Sequence, residues 1–231
     1  MERGLPELAP APCSHDGSFV IVGSGPSLPD HIEDLKREQL AGRPLCAIKG
    51  SHDLLIDHGI TPNLFVSVEP RKRPLKHLSE NTIYLLASRC SPDLFDQLKD
   101  YKVLIWHAWS EEAECDEFKG QFAIGGGSTS GIRAIFVGYV LGFRKFILYG
   151  MDSCLAGDKK TKRFSGETVG DGWITDIIVG GRRFWCNGAM AQQAIEFQHI
   201  YTSLPDINIY PKGDGLITAI INERKKRGFT A

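Results

Sequence analysis

The sequence has no pair of cysteines at C-x-x-C spacing. Cys13, Cys46, Cys90, Cys115, Cys154 and Cys186 are scattered through 231 residues. That spacing offers neither a zinc knuckle nor a redox motif, and scattered thiols suit a reducing compartment. An excess of charge of one sign is also absent. Lys and Arg number 27 against 28 Asp and Glu, so no global basic field argues for nucleic acid or anionic lipid. The one basic run, Arg224-Lys225-Lys226-Arg227, falls at the end of a predicted helix, where cations complement the negative end of the helix dipole. No apolar run reaches the roughly 20 residues that span a bilayer. The first sixteen residues are polar and Pro-rich, without an apolar signal core. The expectation is a cytoplasmic protein with no membrane span and no nucleic-acid partner.

What is present is the composition of a globular chain, 42% hydrophobic and 24% charged. No internal repeat or low-complexity block interrupts it, which sets solenoids aside. Apolar runs alternate with helical stretches, the pattern of βαβ units around a mostly parallel sheet. Strands are predicted at 18–22, 45–48, 64–68, 83–87, 103–106, 145–149 and 207–210, with a hairpin formed by 173–179 and 182–185 around Gly180-Gly181. Helices are predicted at 29–40, 52–58, 92–98, from the 125–131 turn through 141, at 189–201 and at 216–224. The fold class is α/β, a Rossmann-like three-layer sandwich. Residues 1–16 are expected to be a flexible N-terminal segment and 17–231 a single domain. The acidic stretch 111–117 reads as a surface loop or short helix, and the long polar connection 156–172 as a lid, a binding loop or a disordered segment.

In an open parallel sheet, ligands bind beyond the carboxyl ends of the strands. Two glycine-rich turns fall there. The first strand delivers Gly23, Ser24, Gly25, Pro26 and Ser27. Its glycines permit a tight turn and close approach of a ligand, and the next helix start presents unpaired N–H groups suited to phosphate. The third glycine of the dinucleotide fingerprint is missing, and Lys49-Gly50-Ser51 stands where an acid would follow the second strand. A nicotinamide oxidoreductase is therefore disfavoured.

The second turn, Gly125, Gly126 and Gly127 followed by Ser128, Thr129, Ser130 and Gly131, opens an apolar helix. Its hydroxyls can cap the helix or hydrogen-bond an anion or a sugar. No Gly-Lys-[Ser/Thr] follows, so it is not a P-loop. Both turns also allow a plainer reading, as a strand-to-helix connection and as a hinge.

Two acids end strands, Glu69 and Asp152. A carboxylate there can accept from sugar hydroxyls, hold Mg²⁺ through oxygen, or act as a base; it can equally cap the next segment or pair with Arg71 or Arg73. Arg71, Lys72 and Arg73 can contact phosphate or form a solvated charge run. His52 and His107, each alone near a turn, read as structural or exposed.

Gly23-x-Gly25-Pro26-Ser27-Leu28, the step Gly59-Ile60-x-Pro62-Asn63 into a strand ending in an acid, and the stretch GGGSTSGIRAIFVGYVLGFRKFILYGMDSC together resemble the MptE-like family. That family is named for an archaeal 6-hydroxymethyl-dihydropterin pyrophosphokinase. The same segments resemble the sialyltransferases of bacterial surface glycans and the motility-associated flagellin glycosyltransferases. The resemblance covers roughly residues 19–152. It implies a nucleotide-dependent transferase with a nucleotide or nucleotide-sugar donor and a small hydroxyl-bearing acceptor. A homo-oligomer is compatible with it.

The pyrophosphokinase branch implies diphosphate transfer from ATP to a hydroxymethyl, pterin-like acceptor. Ser24, Gly25, Ser27 and the Gly126 to Ser130 turn would then hold the phosphates, and Glu69 or Asp152 the Mg²⁺ and the catalytic role. The glycosyltransferase branch implies a CMP-activated sugar without metal, and a histidine base before the penultimate helix. Here that place reads Trp185-Cys186-Asn187-Gly188. His199 lies further along the helix. A non-catalytic nucleotide-binding module is the third expectation.

Overall fold

The computed structural model describes residues 4–109, 122–170 and 172–228. The acidic stretch 111–117 lies outside them. An eight-stranded sheet, every neighbouring pair parallel, forms the centre in the order β10-β7-β1-β2-β3-β4-β5-β6. From β1 (His15–Val22) the chain steps outward through β2 (Leu45–Ile48), β3 (Leu64–Ser67), β4 (Ile83–Ala87), β5 (Val103–Ala108) and β6 (Ala123–Ile124). It then crosses back through α4 (Ser130–Val140) to β7 (Phe143–Tyr149) on the other side of β1, with β10 (Asn208–Pro211) outermost.

The remaining helices are α1 (Ile32–Leu40), preceded by a 3-10 turn at Leu28–His31, then α2 (Ser51–Asp57), α3 (Pro92–Gln97), α5 (Gly188–Ser203) and α6 (Leu216–Lys226). Among the described residues, none is long and apolar enough to cross a membrane.

The unbroken apolar runs of the central strands follow from burial on both faces. Phe19, Val20, Ile21 and Val22 of β1 are all fully buried, as are Leu45, Cys46 and Ala47 of β2. α4 is apolar almost all round because it is buried almost all round, including Ile132, Ala134, Ile135 and Val137. β8 (Ile174–Val179) and β9 (Arg182–Asn187) form the expected antiparallel hairpin. Gly180 and Gly181 both have positive φ there, 58° and 76°, as a two-residue hairpin turn requires. The hairpin closes a smaller apolar cluster of Phe184, Cys186, Ala194, Leu216 and Ala219, joined to the main core through Ile220.

Two features go beyond the sequence reading. From residue 4 onward the N-terminal segment makes packing and backbone contacts with the rest of the fold. Leu8 is buried, its N–H donates to the Ile105 carbonyl (2.8 Å), and Ala11 and His15 donate to Val140 and Gly142. An apolar anchor and ladder-like hydrogen bonds outweigh the proline-rich composition that suggested disorder. The two-residue strand β6 was not predicted, being too short to carry a period.

Candidate functional site

The order of strands reverses between β1 and β7, and the first glycine turn lies at this switch point. It is filled by the chain itself. Gly23 N–H donates to the Tyr149 carbonyl and Gly25 N–H to the Gly150 carbonyl, both at 2.8 Å. Ser27 donates its N–H (3.1 Å) and its hydroxyl (2.7 Å) to the Asp152 carboxylate. Ser24 Oγ donates to the Ile48 carbonyl, and the Ser24 carbonyl accepts from Phe164 N–H of the 156–172 connection.

A Cβ on Gly23 would strike the Gly150 carbonyl, and one on Gly25 would fall on the Asp152 carboxylate. The glycines are thus required by close approach of the protein's own backbone. Pro26 begins no free N–H at all. Asp152 is 5% exposed. Burial holds its carboxyl above the ordinary range, against the two Ser27 hydrogen bonds.

The second turn is built differently. Thr129 caps α4, its Oγ1 accepting from Ile132 N–H. Arg133, 6% exposed in the otherwise apolar helix, reaches back under the turn. Its Nε donates to the Gly127 carbonyl and its Nη1 to the Ile124 carbonyl, both at 2.8 Å. From α5, Gln193 Nε2 donates to Thr129 Oγ1 (2.8 Å). Glu196 Oε2 accepts from both the N–H and the hydroxyl of Ser128 (2.9 and 3.0 Å). A carboxylate of the protein thus sits against this turn, one residue before the N-cap Thr129. The Ser130 hydroxyl is buried and has no hydrogen-bond partner among the described residues.

This turn opens on the larger of two adjoining cavities. A cleft of about 1040 Å³ runs from Gly125–Ser130 past Arg89, Arg133 and His199 to Lys49, Glu69 and Arg71. A cavity of about 360 Å³ continues beyond, over Phe65, Ser67 and Leu94, with Arg73 and Arg163 at its walls. Lys49, Glu69 and Arg71 line both.

Lys49 stands directly after β2 with φ of +55°, a left-handed conformation costly for a residue with a Cβ. Its Nζ lies 3.3 Å from Glu69 Oε2. Arg71 donates to Glu69 through Nε (2.6 Å) and Nη2 (3.0 Å), and Arg73 Nε lies 3.7 Å away. Arg71 first, and then Lys49, pull the Glu69 carboxyl down to about 2, although burial opposes them.

Mg²⁺ does not fit the residues expected to hold it. Glu69 is enclosed by three cations, and both oxygens of Asp152 are engaged by Ser27. No group of three or more His, Cys, Asp or Glu is placed to hold a metal ion among the described residues. Nor does Asp152 join Glu69 in lining either cavity. The expected site residues therefore divide. Glu69 and the Gly126 to Ser130 turn face one cleft, whereas Gly23 to Ser27 and Asp152 form a closed clasp. His52 is fully buried against the rings of Phe65 and Tyr84, and His107 Nδ1 lies 3.0 Å from Ser88 Oγ.

Lys49, Arg89, Arg133, Arg163 and Glu196 were not singled out as site residues from sequence. Only Arg133 carried a visible signal, a charge at an inward position of an apolar helical stretch, which demands a buried partner.

The architecture is that of an open parallel α/β protein with a polar cleft over its strand ends, the place where this class binds ligands. Within that class the chain belongs to the MptE-like family, described as 6-hydroxymethylpterin diphosphokinase MptE-like, whose model matches residues 8–158. Among solved structures it is similar to the MAf glycosyltransferase from Magnetospirillum magneticum AMB-1. The TM-score is 0.66 and the identity 14%, over 96% of this chain and 38% of that one. At that identity the likeness concerns the fold. A search of curated proteins finds no match.

Proposed function

We propose that this chain is a nucleotide-dependent transferase of the MptE-like type whose donor phosphates lie in the larger cleft, at the Gly126 to Ser130 turn. The observation that carries the reading is the start of α4. An eleven-residue helix, an unpartnered buried Ser130 hydroxyl and an Arg133-braced glycine turn all face a cleft that also holds Lys49, Arg71 and Arg89. Backbone N–H groups and fixed cations are what phosphoryl chemistry requires. Its transition state needs positioning and charge neutralisation more than a protein nucleophile.

The first reaction proposed is diphosphate transfer from ATP to a hydroxymethyl-bearing acceptor. The acceptor oxygen bonds to the β-phosphorus, the bond from that phosphorus to the α,β-bridging oxygen breaks, AMP leaves, and the hydroxyl proton passes to solvent. Glu69, ionised down to about pH 2, is too weak a base to take that proton. Its role is to hold Lys49, Arg71 and Arg73 in one cluster. A second reading, transfer from a nucleotide-activated sugar, is favoured by the misfit of Glu69 and Asp152 to Mg²⁺. Here the cations and backbone would stabilise the leaving nucleotide.

Calorimetric titration with ATP, with and without Mg²⁺, and with CMP and a CMP-sugar tests the site. ³¹P NMR of mixtures with a hydroxymethylpterin then reads the chemistry. Sub-millimolar nucleotide binding that is weakened at least about tenfold by Arg89→Ala is expected. No binding of any nucleotide below the millimolar range would remove the proposal.

A further inference from the structure

The smaller cavity needs its own account, because the donor site does not use it. We propose that it is the acceptor site, and that the acceptor carries an anionic group, phosphate or carboxylate, beside the hydroxyl that is modified. This rests on placing the donor at the Gly126 to Ser130 turn.

The first argument is position. A transferase must bring two ligands together, and the two cavities meet at Lys49, Glu69 and Arg71, which line both. Size comes next. About 360 Å³ is near the lower end of the range for small-molecule pockets. It suits a small acceptor and leaves the nucleotide to the cleft of about 1040 Å³. Phe65, Leu75 and Leu94 supply an apolar floor for the acceptor's body.

Charge gives the class. Lys49, Arg71 and Arg73 share the single carboxylate of Glu69. Across the cavity, Arg163 and Lys162 share the single carboxylate of Glu167 (3.1 and 2.9 Å). Lys72 is already paired with Asp93 (2.8 Å), and Asp53 accepts the backbone N–H groups of Lys76 and His77. Five cations thus stand around three carboxylates, counting Asp53, with Lys72 and Asp93 cancelling. The surplus is sensed at Lys49. Burial chiefly lowers its proton affinity, Glu69 opposes this, and repulsion from Arg163 and Arg73 adds to the lowering.

A neutral acceptor would displace water from these cations and return nothing. An anion completes the set, and the planar guanidinium groups of Arg73 and Arg163 match carboxylate and phosphate alike.

The cover over this cavity is built to stay in place. Arg163 comes from the 156–172 connection, which folds on itself through Ala156 N–H to Thr161 O, Lys162 N–H to Glu167 O and Val169 N–H to Lys160 O. Its Phe164 N–H donates to the Ser24 carbonyl, and its ring packs on the main core. The first glycine turn thereby holds the strap that brings Arg163 to the acceptor cavity.

Glycerol, glycerate and glycerol 3-phosphate share one hydroxymethyl group and differ in charge, so they serve as probes. Calorimetry with saturating ATP is expected to show no binding of glycerol. One or both anions should bind, the tighter naming the group. Arg73→Gln with Arg163→Gln should weaken that binding at least about tenfold and change ATP affinity less than about threefold. Added NaCl on the wild-type protein is an independent readout, and anion affinity should fall as salt rises.

Glycerol binding as well as the anions, a salt-independent affinity, or efficient turnover of the uncharged hydroxymethylpterin would overturn the proposal. So would equal loss of ATP and anion in the double variant, which would merge the cavity into the donor site. The absence of all three probes while ATP binds would overturn it and leave the donor reading standing. Anion binding through Arg73 and Arg163 in a protein that binds no nucleotide would sink the donor reading alone.

Discussion

The two glycine turns look alike in sequence and do opposite things in the fold. Each follows a strand and leads into a helical segment, with serines among the glycines. At Gly23 to Ser27 the donors of Gly23, Gly25 and Ser27 and the Ser24 hydroxyl are all satisfied by the protein, and Cβ atoms at Gly23 and Gly25 would overlap it. At Gly125 to Ser130 the turn faces a cleft; Cβ atoms on Gly126 and Gly127 would strike Phe136 and the Glu196 carboxylate, but one on Gly125 would meet nothing, and the buried Ser130 hydroxyl has no partner, among the described residues. Glycine marks close approach, but what approaches is decided elsewhere. The first turn meets Gly150 and Asp152. The second meets Phe136 and Glu196 and faces the cleft.

The sharpest way to break this contrast is to add a methyl group to each turn. Gly25→Ala places a carbon on the Asp152 carboxylate and is expected to cost about 3 kcal/mol or more in urea unfolding. Gly125→Ala should stay within about 0.5–1 kcal/mol of wild type. Similar losses at both would show that the second turn is also a packing device.

Next in size is Arg133→Met. It leaves the Ile124 and Gly127 carbonyls without their donor and should cost about 2 kcal/mol. Hydrogen exchange should quicken at 125–129 while the Gly23 to Ser27 amides keep their protection. Uniform acceleration would mean that the brace serves the whole core.

The acids differ in the same way as the turns. Glu69 has a folded-state pKa of about 2, below its ordinary 4.5. Its contribution to stability is therefore complete above pH 4.5 and is lost as the pH falls toward about 2. The Asp152 carboxyl is raised, so its contribution has the opposite sign, greatest at low pH and lost as pH rises through the folded value. Acid unfolding of Glu69→Gln should show a shallower loss below pH 4.5 than wild type, and Asp152→Asn a steeper one as the pH falls toward the ordinary aspartate value of 3.8. The reverse order would contradict the pairing described.

The smallest change in stability is expected for Ser130→Ala. Removing an unpartnered hydroxyl should leave unfolding free energy within about 0.5 kcal/mol, while nucleotide affinity falls about 5–10-fold. A loss of stability without loss of affinity would make Ser130 part of the core.

The alternation of strands and helices was legible because parallel strands buried on both faces read as short apolar runs, such as 18–22 and 145–149. The hairpin was legible from Gly180-Gly181. The anchoring of the N-terminal segment was not, since Leu8 and four backbone bonds, at Pro6, Leu8, Ala11 and His15, are too little to form a pattern. The half of the site on the second turn and Glu69 was visible as glycines, hydroxyls and a strand-end acid. Lys49, Arg89 and Arg163 were invisible in their role. A lone cation in a loop reads as solvated until the fold places other cations beside it.

The sequence by itself determined the α/β class, the strand-end positions of the first turn and of both acids, and the resemblance to a family that the comparisons bear out. Those features are local, or repeat at the period of the structure. Only the tertiary structure decided that Asp152 closes onto Ser27, that Glu69 is ringed by Lys49, Arg71 and Arg73, and that one glycine turn is spent on packing while the other faces a cleft. Each of those outcomes depends on residues far apart in the chain meeting at the end of one sheet. Local pattern does not encode which strand ends are neighbours. The order β7-β1-β2-β3 does.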